Sequence, residues 1–212
     1  FRKLMTEQRE RAKADAKAKK GATVASEAYR SLRSSGEIPF LGFTDLSAET
    51  TVRGIIADGQ LVDRAQPGAV VEVVLEQTPF YAEAGGQDAD SGLITGDGLS
   101  LEVLDVQRPV QGLIVHKVRI DDGEIATGAK VLAAVDAAAR HAACQAHTAT
   151  HIVNATLRQL LGQGTHQAGS YNKPGYLRFD FNAISGLSHD LQQELEGVAN
   201  EAIRADYPVT AT

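Results

Sequence analysis

The sequence predicts an α+β chain: an N-terminal helical arm, a small β-barrel, and then an α+β core with helices packed on a sheet. Three observations predict it. Strong helix formers with only scattered apolar positions run from Phe1 to about Ser34. Short β-type runs separated by glycine, aspartate and proline follow as far as Val135. An alanine-rich helical stretch then begins directly after Asp136. The expected segments are therefore 1–37, 38–135 and 136–212.

The arm carries Phe1, Leu4, Met5, Val24, Tyr29 and Leu32 as its few apolar positions, which suits a bridging helix. The stretch from Gly36 to Pro39 ends it, because proline lacks an amide donor and restricts its predecessor. In the barrel segment, strands are expected at Thr51 to Ala57, Gln60 to Asp63, Ala69 to Gln77, Leu101 to Val106 and Leu113 to Ile120. Asp58-Gly59 and Asp97-Gly98 read as hairpin turns, where glycine takes positive φ at least cost. A helix is expected over Ala137 to Leu161, N-capped by Asp136 and stopped by Gly162. Tyr176 to Asn182 alternates as a half-buried strand does, with Leu177, Phe179 and Phe181 on one face. A last helix over Ser188 to Ala205 gathers Leu191, Leu195, Val198, Ala202 and Ile203 on one side and stops before Pro208.

Composition narrows the function. The 212 residues include one cysteine, so no internal disulfide is possible and a cytoplasmic, reducing setting is expected. No apolar run reaches the roughly 18 residues of a membrane span, and a membrane partner is not expected. Net charge is −6, yet residues 1–20 hold eight Lys or Arg against three acids, a local +5. A basic arm of this kind meets phosphate backbone or simply solvates a helix face, and charge does not choose between them. No phosphate-binding loop, dinucleotide glycine fingerprint or serine nucleophile elbow occurs.

His147 and His151 stand four residues apart on the expected helix, so both rings can leave one face toward one metal ion, with zinc the best suited. They make half of a tetrahedral site. Without a glutamate after His147 the metalloprotease HExxH pattern fails, and on spacing alone two surface or hydrogen-bonded histidines are the commoner reading. Cys144 reads as a small buried hydrophobe rather than a third ligand. His116, His141, His166 and His189 have no paired spacing. Gly85-Gly86-Gln87 matches the tripeptide of peptide release factors, but its aromatic setting, Thr78-Pro79-Phe80-Tyr81-Ala82-Glu83-Ala84, favours a glycine turn.

Taken together, Thr78 to Gln87, the His147 to His151 pentad with Ala155 to Gly162 after it, Gln167-Ala168-Gly169-Ser170 and Leu177-Arg178-Phe179-Asp180-Phe181 resemble the alanyl-tRNA synthetases. Phe1, Met5, Gln8, Arg9, Arg11 and Ala12 of the arm resemble the stretch these enzymes carry before the barrel. Stand-alone editing proteins share the Pro79 to Gln87 and His147 to His151 signatures but leave the basic arm unexplained.

The resemblance implies a parent ligase that charges tRNA with alanine using ATP and Mg2+ in an aminoacylation domain outside this chain. It also implies that 136–212 is the first part of an editing domain, truncated at its C-terminal end, which hydrolyses seryl- or glycyl-tRNA for alanine. Implied with it are a zinc ion on His147 and His151 with two further ligands beyond the chain end, and editing-pocket positions for Thr150 and Gln167. Expected partners are tRNA for alanine and the other domains of the synthetase. The alternatives are a non-catalytic tRNA-docking module and a stand-alone trans-editing deacylase.

Overall fold

The computed structural model describes residues 27–183 and 186–208. These divide into two compact units: one takes the described residues up to Glu83 together with Ala89–Asp136, the other Ala84–Asp88 together with the described residues from Ala137 onward. Most of the expected arm, including its basic residues 1–20, lies outside the described residues. Among those described, no helix is long and apolar enough to cross a membrane.

In the first unit, α1 (helical over 27–34) leads into a six-strand barrel. The strands are β1 (Ser47–Ala57), β2 (Gln60–Val62), β3 (Arg64–Ala65), β4 (Val70–Leu75), β5 (Gly92–Gly96), β6 (Leu99–Val110), β7 (Leu113–Asp122), β8 (Ile125–Ala126) and β9 (Lys130–Val135). The pairing order β1-β4-β7-β6-β5-β9 closes because β9 returns to β1, so the barrel leaves no open edge there. Long β1 makes closure possible by changing partner: Ser47–Thr51 face β9, and Val52–Ile56 face β4. The short β2 extends the end of β1 as a hairpin, and β3 pairs with β8.

Both expected hairpin turns are present. At Asp58-Gly59 both residues take positive φ, 50° and 79°, the geometry that matches strand twist, whereas at Asp97-Gly98 only the glycine does, at 62°. Strands β5 and β9 were not among the expected ones. A five-residue run bracketed by glycines, Gly92-Leu-Ile-Thr-Gly96, and the alanine-diluted Lys130 to Val135 carry too few β-branched or aromatic residues to stand out. Closing the barrel supplies the burial that their local sequence does not advertise: Ile94 and Ala133 are fully buried.

The core of this unit runs from Val52, Ile55 and Leu75 through Leu101, Leu113 and Ile120 to Phe80. Helix α1 joins it through Ala28 and Leu32. Gly54 permits that approach, since a Cβ there would stand 2.5 Å from Leu32 Cδ2. Buried beside Phe80 is His116, whose ring meets the phenyl edge-on at 5.5 Å. Val73 O, 3.0 Å from Nδ1, can only accept, so Nδ1 carries the proton. Nε2 then accepts from Thr78 Oγ1 at 2.8 Å, and Thr78 Oγ1 accepts from the Phe80 amide. This chain is complete with a neutral ring, and burial pushes the His116 pKa down to about 4.

Because that value lies below the unfolded one near 6.5, the unfolded chain binds the extra proton between the two, and stability rises with pH across that window. The contribution is whole above pH 6.5 and is lost as pH falls toward 4, with a slope of up to about 1.4 kcal/mol per pH unit. Urea unfolding at a series of pH values should show this slope in the wild type and not in His116→Asn, whose amide can still donate to Val73 O. Parallel curves would place the acid sensitivity elsewhere.

The second unit holds α2 (Ala137–Leu161), the hairpin β10 (Gln167–Lys173) and β11 (Tyr176–Phe181), and α3 (His189–Arg204). Helix α2 has the expected bounds, and Gly162 ends it at φ 98°, its amide bonding Arg158 O. Ser188 caps α3 by accepting from the Leu191 amide at 3.2 Å. The apolar stripe of α3 is only half-buried, however, and Ile203 is exposed. Leu157 is the one large apolar side chain of α2 that is fully buried, so this unit has a much smaller core than the barrel.

Candidate functional site

His147 and Thr150 lie where α2, β10 and the segment Ala84–Asp88 come together, whereas Gln167 stands at the start of β10, its side chain bonded to Ser170. That segment is a tight turn: the Gln87 amide bonds Ala84 O at 3.0 Å and the Ala84 amide bonds Gln87 O at 3.3 Å. Gly85 and Gly86 between them take φ 60° and 82°, the double positive φ for which Gly-Gly is suited. The tripeptide is thus a glycine turn. It is laid against β10 by two main-chain bonds, Asn172 N–H to Gly86 O at 2.7 Å and Asp88 N–H to Asn172 O at 2.9 Å. Tyr171 adds a third tie, its hydroxyl donating to Asp88 Oδ2 at 2.8 Å.

His147 and His151 leave α2 one turn apart, with ring centroids 5.0 Å from each other. Both are exposed. Gln87 Oε1 lies 2.7 Å from His147 Nδ1. Burial first, and the neighbouring His151 second, hold the His147 pKa below the usual histidine value. An imidazole nitrogen with a free lone pair binds zinc, so two such rings one turn apart have suitable chemistry as two nitrogen ligands. Among the described residues no cluster of three or more His, Cys, Asp or Glu is assembled.

Thr150 is buried between the two histidines in sequence, its hydroxyl 2.9 Å from Ala146 O and 2.7 Å from Asn172 Oδ1. Its one proton is shared between two acceptors, and the side chain ties α2 to β10. Gln167 is exposed at the start of β10, with Nε2 donating to Ser170 Oγ at 3.0 Å. His166 beside it is exposed, and its amide bonds Asn182 Oδ1 at 2.6 Å. Cys144 is not core. It is exposed, and with His141, Ala149, Ile152 and Ile203 it lines a groove of about 490 Å³. The buried residues of α2 are Ala143, Ala146, Thr150, Thr156 and Leu157, and one residue's turn of the helix from Ala143 carries Cys144 off that surface.

Two residues of the site escaped sequence reasoning. Asn172, nearly fully buried, organises it through main chain and side chain, and Gln87 contacts His147 across 60 residues of sequence. Asn172 follows Ser170-Tyr171 in a polar strand with nothing to mark it. Gln87 had a signal, since its tripeptide stood out, but the signal concerned the glycines.

The family model for tRNA synthetases class II (A) matches residues 1–139, and the chain belongs to that family. Its relatives within the family are alanine–tRNA ligases. The enzyme of Cutibacterium acnes is 61% identical over 212 residues, all of this chain and 24% of the relative. That of Arthrobacter sp. is 56% identical over 209 residues, 99% of this chain and 23% of the relative. That of Leifsonia xyli is 51% identical over 210 residues, 99% and 24%. The chain thus spans about a quarter of the length of the curated relatives it matches. The alanyl-tRNA synthetase resemblance holds over the whole chain, whereas the family model ends before His147.

Proposed function

We propose that this chain serves an alanine–tRNA ligase in proofreading, its second unit contributing to hydrolysis of seryl or glycyl esters wrongly made on tRNA for alanine. The observation that carries this reading is the exposed His147 and His151 pair, with His147 anchored through one nitrogen, in a chain related to alanine–tRNA ligases. An alanine pocket admits glycine, and one added hydroxyl changes affinity in an apolar pocket only modestly, so such a ligase gains from a second, hydrolytic site.

Zinc on His147 and His151, with its remaining ligands from outside this chain, would supply Lewis acidity toward the ester or a fixed anchor for its amino acid. The chain's own residues do the rest. Gln167, open to solvent, has an amide able to hydrogen-bond the serine hydroxyl or the ester. Thr150 acts through Asn172, holding β10 and therefore Gln167 against α2. Aminoacyl esters are labile, so placement of ester and water suffices without a strong general base. ATP, Mg2+ and the charging of tRNA with alanine belong in this reading to other parts of the ligase, and the setting is cytoplasmic.

The test is a chimera in which this chain replaces the matching segment of the Cutibacterium acnes ligase. Seryl- and glycyl-tRNA for alanine should be deacylated faster than alanyl-tRNA. Equal, uncatalysed decay of all three would remove the editing reading and leave a docking module.

A further inference from the structure

We propose that Gln87 is the positioning residue for His147: its side-chain carbonyl takes the hydrogen bond from Nδ1–H, fixes the tautomer of the ring, and leaves the Nε2 lone pair for a metal ion. The purpose of the arrangement rests on the zinc reading above. The hydrogen bond stands without it.

Three observations carry the inference. The atom facing His147 Nδ1, at 2.7 Å, is Oε1, which has no proton to give. A neutral imidazole has one N–H, so a bond to an obligate acceptor places that proton on Nδ1 and leaves Nε2 bare. This is the usual division of labour in histidine ligands, where one nitrogen is held by a hydrogen-bond acceptor and the other binds the metal. Second, Gln87 is only 8% exposed although it is a long polar side chain, so water has little access to compete for its carbonyl. Third, its backbone is fixed on both sides. The turn closes through Ala84 and Gln87, and the bonds of Gly86 and Asp88 to Asn172 bracket it. A glutamine fixed at its Cα and shielded along its stem holds its carbonyl in place at low entropic cost.

The same clamp couples the two halves of the site. Asn172, which brackets Gln87 through its main chain, meets Thr150 through its side chain, one turn along α2 from His147. Displacing the turn would therefore disturb the ring of His147 and the seat of Thr150 together.

The alternative proton arrangement is definite. Were the Gln87 amide reversed, its NH2 would donate to Nδ1, the ring proton would sit on Nε2, and the lone pair would be spent inside the protein. Nitrogen-15 NMR on the zinc-free 212-residue chain with labelled histidine separates the two, because protonated and bare ring nitrogens resonate far apart. His147 should show a protonated Nδ1 and a bare Nε2 at a pH where its histidines are neutral. Gln87→Met, of similar length without the carbonyl, should shift His147 toward the Nε2–H form, and Gln87→Glu should keep Nδ1–H.

A wild-type His147 protonated on Nε2 would overturn the proposal, as would an unchanged tautomer in Gln87→Met. Should Gln87→Met fail to fold, the wild-type and Gln87→Glu spectra decide alone. In the Cutibacterium acnes chimera, Gln87→Met should weaken zinc binding about 10- to 100-fold, and unchanged affinity would also count against it. If the unsubstituted chimera bound no zinc, the zinc reading would fail while the tautomer result remained legible by itself.

Discussion

In the chimeric ligase, His147→Ala should lower deacylation of seryl-tRNA for alanine by at least about 10-fold while leaving alanine charging within about twofold of the parent. The lower bound follows from the hydrogen-bond shell of metal sites, where losing a residue that merely orients a ligand costs about 10- to 100-fold. Losing the ligand itself costs no less. The side chain is exposed on α2, so its removal opens no core cavity; the cost to folding is that of leaving the shielded Gln87 carbonyl unpaired, about 1–3 kcal/mol. Alanine charging is the internal control, since a collapsed protein would lose both activities.

Gly86→Ala should also impair deacylation, by about 10- to 100-fold, for a backbone reason. At φ 82° an added Cβ would stand 2.3 Å from Ser170 O, a main-chain atom of β10 that cannot swing aside. The turn must lift or β10 must move, and either displaces Gln87 from His147. Gly85 provides the contrast. Its φ is 60°, yet nothing lies within 4 Å of the position a Cβ would take. Asparagine tolerates that conformation, so Gly85→Asn should cost little while Gly86→Asn behaves as Gly86→Ala does. Parallel deacylation assays and His147 tautomer spectra of the two substitutions check this. Equal losses at both positions would mean that the turn matters only for its conformation and not for its contact with β10.

What the sequence revealed, and what it hid, divides along physical lines. Helix bounds were legible because local chemistry sets them: Gly162 stops α2, and Ser188 caps α3. The Asp58-Gly59 turn was legible for the same reason. Strands β5 and β9 were not, because their stability comes from barrel closure rather than from their own residues. Cys144 was misplaced by residue type, while the helical phase of Ala143, Ala146, Thr150 and Leu157 already put it off the buried face. The histidine pair was visible as a spacing, but its anchoring by Gln87 links residues 60 apart and no local pattern reports it. Thr150 shows the same limit. A threonine on a helix is open in role until its hydroxyl is found between Ala146 and Asn172.

We propose His147 and His151 as half of a zinc centre for ester hydrolysis. Its most direct measurement is seryl-tRNA deacylation by the chelator-treated chimera before and after stoichiometric zinc, beside the same protein carrying His147→Ala. Chelation should abolish hydrolysis, and zinc should restore it only in the protein with His147 intact. Full activity after complete zinc removal, or equal recovery in both proteins, would contradict it.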